Sequence, residues 1–161
     1  ENRPHLLDAT FASDATLVVQ NKTTAISFPS QTAGRNGIAD VLVRNFGQTY
    51  ENVYSFYLSR PTGELARFTC HWLVAMTEKS TGAVRVGSGE YDWVFSESPP
   101  RLAKGLTITI ARMQVLPATA MPAVYAWISG LTYPWSSHAE VSTAPPALPE
   151  VAAVLDALHE R

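Results

Sequence analysis

Between Asn52 and Val115 the apolar residues recur at every second position, the period of a half-buried strand. "NVYSFYLSR" alternates Tyr54, Phe56 and Leu58 with Val53, Ser55, Tyr57 and Ser59. "PTGE" turns the chain into "LARFTCHWLVAMTEK", and "STGA" is a tight connection to "VRVGSGEYDWVFSE". After "SPPRLAKG" the alternating "LTITIARMQV" supplies one more run. This pattern predicts four long antiparallel strands at about 51–60, 66–79, 83–97 and 105–116, the middle two forming a hairpin. Gly87 and Gly89 inside the third strand predict a bulge or strong bend, as a sheet needs when it curls around a cavity.

On either side the period changes. "RPHLLDATFA" places Leu6, Leu7 and Phe11 at helical spacing and predicts a short helix. "SDATLVVQ" then reads as a strand, and "NKTTAISF" as a second short strand or an extended arm closed by Pro29. The clearest helix is "GRNGIADVLVRNFGQTY", with Asn36 as its N-cap and Gly47 loosening its last turn. "PATAMPAVYAWISGL" is a helix with Val124, Tyr125, Trp127 and Ile128 on its apolar face. A Pro/Ser-rich connector carrying "YPW" follows, with these rings tucked onto the body as a clip. The amphipathic "PEVAAVLDALHER" ends the chain.

Composition narrows the function classes. The 161 residues are 46% apolar and 16% charged with a net charge of −2, and no Lys/Arg cluster offers the footprint of a nucleic-acid partner. No apolar run approaches a membrane span, and no signal segment opens the chain. The single Cys70 excludes an internal disulfide and fits a reducing, cytoplasmic setting. Lying in an apolar run, it reads as a buried small hydrophobe. His5, His71, His138 and His159 form no ligand-spaced pair, and no phosphate- or dinucleotide-binding glycine motif is present. No metal and no cofactor are expected.

Two segments give this order of elements a family likeness. "DATFASDATLVVQ" followed by "GRNGIADVLVRNF" resembles the opening of the NTF2-like superfamily, and "GSGEYDWVF" followed by "LTITIARM" resembles the final strands of its SnoaL-like and ketosteroid-isomerase-like members. The likeness covers about residues 3 to 116. It implies an α+β fold: a curved antiparallel sheet wrapped against helices into a barrel-like cone with an apolar cavity, commonly in a homodimer. Residues 1–116 would form this core, and 117–161 a C-terminal helical extension packed on it. The family usually begins with a long helix ahead of the segment that here starts at Arg3, and the chain opens on Glu1 rather than Met. Material upstream is therefore expected to be absent or removed.

The same likeness nominates site residues. Asp92 stands where ketosteroid isomerases carry an oxyanion-holding carboxylic acid, a role that needs a protonated carboxyl in an apolar wall. By this alignment Glu90, Asp92 and Val94 face the cavity with Thr109, Ala111 and Met113, while Tyr91, Trp93, Phe95 and Arg112 face away. The position of the family's general base falls on Val19, which cannot move a proton. His71 corresponds to the strand histidine that serves as base in related dehydratases. Two functions follow: a cofactor-independent lyase, isomerase or hydrolase acting on a small apolar molecule through His71 and Asp92, or a non-catalytic module holding a ligand or partner. The bulky apolar set Phe68, Cys70, Trp72, Val74 and Met76 further predicts a homodimer packed through the sheet.

Overall fold

A computed structural model describes residues 3–160. Pro4–Ala9 is a short 3-10 helix rather than an α-helix, and Phe11 follows it to open strand β1 (Phe11–Asn21). A loop drops Ile26 into the core before the short β2 (Gln31–Ala33), so the arm predicted at 21–28 is not a strand. Then come α1 (Arg35–Ala39), a π-helical turn (Asp40–Arg44) and α2 (Asn45–Thr49), joined without a break. The long strands are β3 (Tyr50–Tyr57), β4 (Arg67–Glu78), β5 (Val84–Phe95) and β6 (Ala103–Leu116). The four predicted strands are all present, with ends shifted by at most three residues. Three helices follow: α3 (Met121–Ile128), α4 (His138–Val141) and α5 (Pro149–Ala157).

The six strands form one sheet in the order β2-β1-β6-β5-β4-β3. All neighbours are antiparallel except β1 and β6, which run parallel. The sheet stays open, with β2 and β3 as its edges, and is not the closed barrel that a full wrap would give. Two bulges bend it. Ser88 pairs with Arg112 and Gly89 with Ile110, leaving Ala111 as an extra residue on β6. Glu51 pairs with Thr77 and Tyr54 with Ala75, leaving an extra residue on β3, where Asn52 takes a left-handed conformation at φ 53°.

Each face of the sheet packs against a different part of the chain. Trp72, Val74 and Met76 of β4 point to the concave face, with Leu17 of β1 and Ile38 of α1 opposite them. Leu73 and Ala75 point to the outer face, where Val124, Trp127, Val141, Val151 and Val154 of the C-terminal segment cover them. Residues 117–160 are thus a second layer on the sheet, and each fully buried Val or Leu in it contributes about 1.5–3 kcal/mol.

Two local expectations need correction. The helix at 35–49 is capped by Gly34 (φ 85°) and not by the Asn36 side chain. The Gly34 amide instead donates to the Ala15 carbonyl at 2.8 Å, tying the helix start to β1. The helix is wide at Asp40–Arg44 and not at Gly47.

Candidate functional site

Between the concave face and the α1–α2 segment lies a cavity of about 650 Å³. That is within the range of small-molecule pockets. β1 contributes Phe11 and Val19, β4 contributes Trp72, Val74 and Met76, and β5 contributes Tyr91 and Trp93. β6 adds Leu106, Ile108, Ile110 and Met113. Ile110 and Met113 both reach the cavity because the Ala111 bulge shifts the alternation between them. Leu42, Val43, Phe46 and Gly47 form the roof, and the π turn brings this set to one side, as an added residue per turn can do. Glu51, Asn52, Lys79 and the exposed Tyr133 mark the rim.

The floor exists because β5 carries glycine. A Cβ on Gly87 would meet the Met113 Cε at 2.5 Å, and one on Gly89 would meet Trp72 Cζ2 at 2.7 Å. The bare backbone therefore lets Trp72 and Met113 lie across the strand. Tyr91 stacks beside Trp72 with ring centroids 5.7 Å apart and planes 27° apart, and Tyr57 lies 5.5 Å from Tyr91.

The polar groups of this wall are few and neutral. Burial raises the pKa of Tyr91, with smaller contributions from Tyr57 and Cys70, and burial likewise raises that of Tyr57. Both phenols stay protonated at neutral pH. The Trp72 indole Nε1–H is buried without a hydrogen-bond partner. Cys70, beside this cluster, has its thiol pushed up to about 11 by burial, and so is no nucleophile at neutral pH. Lys79 donates its Nζ–H to the Gly47 carbonyl at 2.6 Å, which ties the rim to the roof.

Most of the residues nominated from sequence lie elsewhere. Tyr91 and Trp93 line the cavity, so alternation turns Glu90, Asp92 and Val94 to the other face of β5. Arg67 grips Asp92 there with two donors, its Nε at 2.8 Å from Oδ1 and its NH2 on Oδ2. Thr109 also faces out and bonds Gln20, while Ala111 is the bulge residue and is not part of the lining. Met113 is the nominated residue that does line the cavity. Val19 lines it as well, so the position matching the family's base faces the pocket but carries an aliphatic chain. Arg112 has no ion pair among the described residues, and its Nε is buried without a partner.

His71 is on the outer face too. Its Nδ1 is 2.8 Å from His138 Nε2, and its Nε2 is 3.8 Å from Glu90 Oε2. His138 in turn stands 6.2 Å from His159, ring to ring. Three histidines distant in sequence thus converge where the connector and α5 meet the sheet. Among the described residues they and their acidic neighbours form no group able to hold a metal ion. Desolvation lowers the pKa of His138, helped by His71 and His159. The "YPW" stretch does clip onto the body: the Tyr57 amide donates to the Pro134 carbonyl at 2.8 Å, and Trp135 packs 5.0 Å from Tyr57. Tyr133 ends at the cavity rim.

The sequence could have given the lining residues Tyr91, Trp93, Ile108 and Ile110, since each lies in a strictly alternating run. The choice of concave face is what alternation alone leaves open.

No family model matches the chain, and no curated protein matches it by sequence. Solved structures do match by shape. A nuclear transport factor 2 (NTF2-like) superfamily protein from Salmonella enterica superposes with a TM-score of 0.52 at 14% identity, covering 66% of this chain and 76% of that one. A ketosteroid isomerase-like fold protein from Catenulispora acidiphila, solved with trimethylamine, gives 0.51 at 16% identity, covering 67% and 75%. With its open curved sheet packed against helices, the chain has the NTF2-like fold.

Proposed function

We propose that the chain is a non-catalytic receptor for a small, neutral, largely apolar molecule held in this cavity. One observation carries the reading: the wall is aromatic and aliphatic, and its only charged residues, Glu51 and Lys79, are exposed at the rim. Acid–base catalysis needs a proton-moving group within reach of the substrate. Asp92 and His71 are separated from the cavity by the sheet, and Val19 has no titratable atom. A binding role needs only the apolar volume, and burial of a ligand there is favourable at about 25 cal/mol per Å² of apolar surface.

The enzymatic alternative predicted from sequence depended on His71 and Asp92 sharing the pocket. Incubation with a panel of hydratase, isomerase and ester substrates, alongside thermal unfolding with neutral bicyclic and tricyclic compounds, tests the choice. Stabilisation by such compounds with no turnover is the expected result. Turnover abolished by a cavity substitution but untouched by His71→Ala would overturn it.

A further inference from the structure

Resting on that reading, we infer that the Tyr91 hydroxyl anchors the ligand, donating to an uncharged oxygen acceptor such as a ketone carbonyl. Tyr91 lines the β5 wall of the cavity, flanked by the rings of Trp72 and Trp93. Its hydroxyl makes no hydrogen bond among the described residues. The partnerless polar side-chain atoms that no water-sized atom can touch are Arg35 Nε, Trp72 Nε1 and Arg112 Nε, and the Tyr91 oxygen is not one of them. It is therefore both unbonded and reachable. Desolvation dominates its surroundings, so the space it opens onto is the cavity and not bulk water. The wall thus presents one deep, unanswered hydroxyl, while the Trp72 indole N–H beside it is sealed.

The chemistry around this hydroxyl decides what it meets. Burial raises the Tyr91 pKa, so the proton stays on the oxygen at neutral pH. A phenol can donate and accept, but its lone pairs are shared with the ring, so donation is the stronger mode. The side chains beside it, Trp72, Trp93 and the cross-strand Ile108, offer no acceptor oxygen. An anionic acceptor is disfavoured, because the cation of the lining, Lys79, is at the rim and bound to the Gly47 carbonyl. A wholly hydrocarbon ligand would strip water from the hydroxyl and return nothing, whereas a carbonyl would replace the lost bond. Tyr57, its ring centre 5.5 Å from that of Tyr91 and its own hydroxyl unbonded, adds a second neutral donor to the wall. The ligand that fits is an apolar, ring-containing molecule with an uncharged carbonyl oxygen.

The test uses two tricyclic molecules of nearly equal shape, 9-fluorenone and fluorene, which differ in the carbonyl. Affinities are measured by calorimetry, and the carbonyl stretch of bound fluorenone by isotope-edited infrared spectroscopy. The ketone is expected to bind the wild type about five- to tenfold more tightly, the worth of one net hydrogen bond. Its carbonyl band should lie at lower frequency than in a hydrocarbon solvent. Tyr91→Phe removes the oxygen alone, and it should erase the preference and move the band back up. The infrared arm on the wild type decides the matter even if that variant fails to fold. Equal affinities, an unshifted band, or a preference retained by folded Tyr91→Phe would overturn the inference while leaving the receptor reading intact. Binding of neither compound would remove both.

Discussion

A Cβ built on Gly89 would stand 1.8 Å from the Thr109 carbonyl oxygen as well as against Trp72. Because the first of these is backbone, Gly89→Ala is expected to lower stability by about 1–3 kcal/mol, at the cost typical of overpacking, and to displace Trp72. Urea unfolding would check the first effect and indole chemical shifts the second. On the other face, Ser88 is fully buried and its Oγ–H donates to the Val154 carbonyl at 2.8 Å, in the last turn of α5, where carbonyls lack helical partners. Ser88→Ala should therefore cost about 1–3 kcal/mol, the penalty for a buried acceptor left unsatisfied, read from the same unfolding curves. Cys70 should react only slowly with a disulfide reagent at pH 7–8 in the folded chain, since its thiol is shifted to about 11. At this scale the glycines were legible, because a side-chain-free position inside a strand announces a close approach. The role of Asp92 was not: alternation separates it from Tyr91 and Trp93, but which set lines the pocket depends on the direction of sheet curvature. An aromatic wall wants the apolar set, and Arg67 satisfies Asp92 outside.

The strands and the two longer helical runs could be read directly, since each repeats its period over several turns or residues. The connector between α3 and α5 could not. It has no period, and it is held by single contacts, among them the bond between His71 on β4 and His138 at the start of α4. That bond needs one ring neutral to accept, so protonating both rings breaks it and sets two like charges side by side. The groups around His138 are His71 and Glu90 on the sheet and His159 after α5. The folded chain holds the His138 pKa below the ordinary 6.5, so below about that pH the unfolded chain binds more protons. Stability from this contact is present above pH 6.5 and is lost as the pH falls through the lower, folded value. Melting temperatures between pH 7.5 and 5 should fall, and His138→Asn should flatten the slope. An equal slope in the variant would show that the contact does not report the pH.

The homodimer predicted from sequence required an apolar sheet face with nothing to cover it. In the folded chain Trp72, Val74 and Met76 are committed to the cavity, while Val124, Trp127, Val151 and Val154 cover Leu73 and Ala75 from outside. The rest of the outer face is polar around Glu90, Asp92 and Thr109. We therefore propose a single-chain particle, and light scattering at micromolar concentration should return the 17.5 kDa of one chain. A two-chain mass would mean that some other surface associates. The fold class was legible as a whole because strand order and lengths suffice for it; a C-terminal helical segment packed on the core was expected too, but not which face of the sheet it covers, since nothing in an amphipathic helix states that. The central claim is that the 650 Å³ cavity is the binding site. It is tested most directly by titrating the protein with the neutral fluorescent probe N-phenyl-1-naphthylamine, beside an Ile108→Trp variant whose indole fills the cavity. Saturable one-to-one binding by the wild type, weakened at least tenfold in a folded Ile108→Trp chain, is the result expected; equal binding by both proteins, or none by the wild type, would contradict the account.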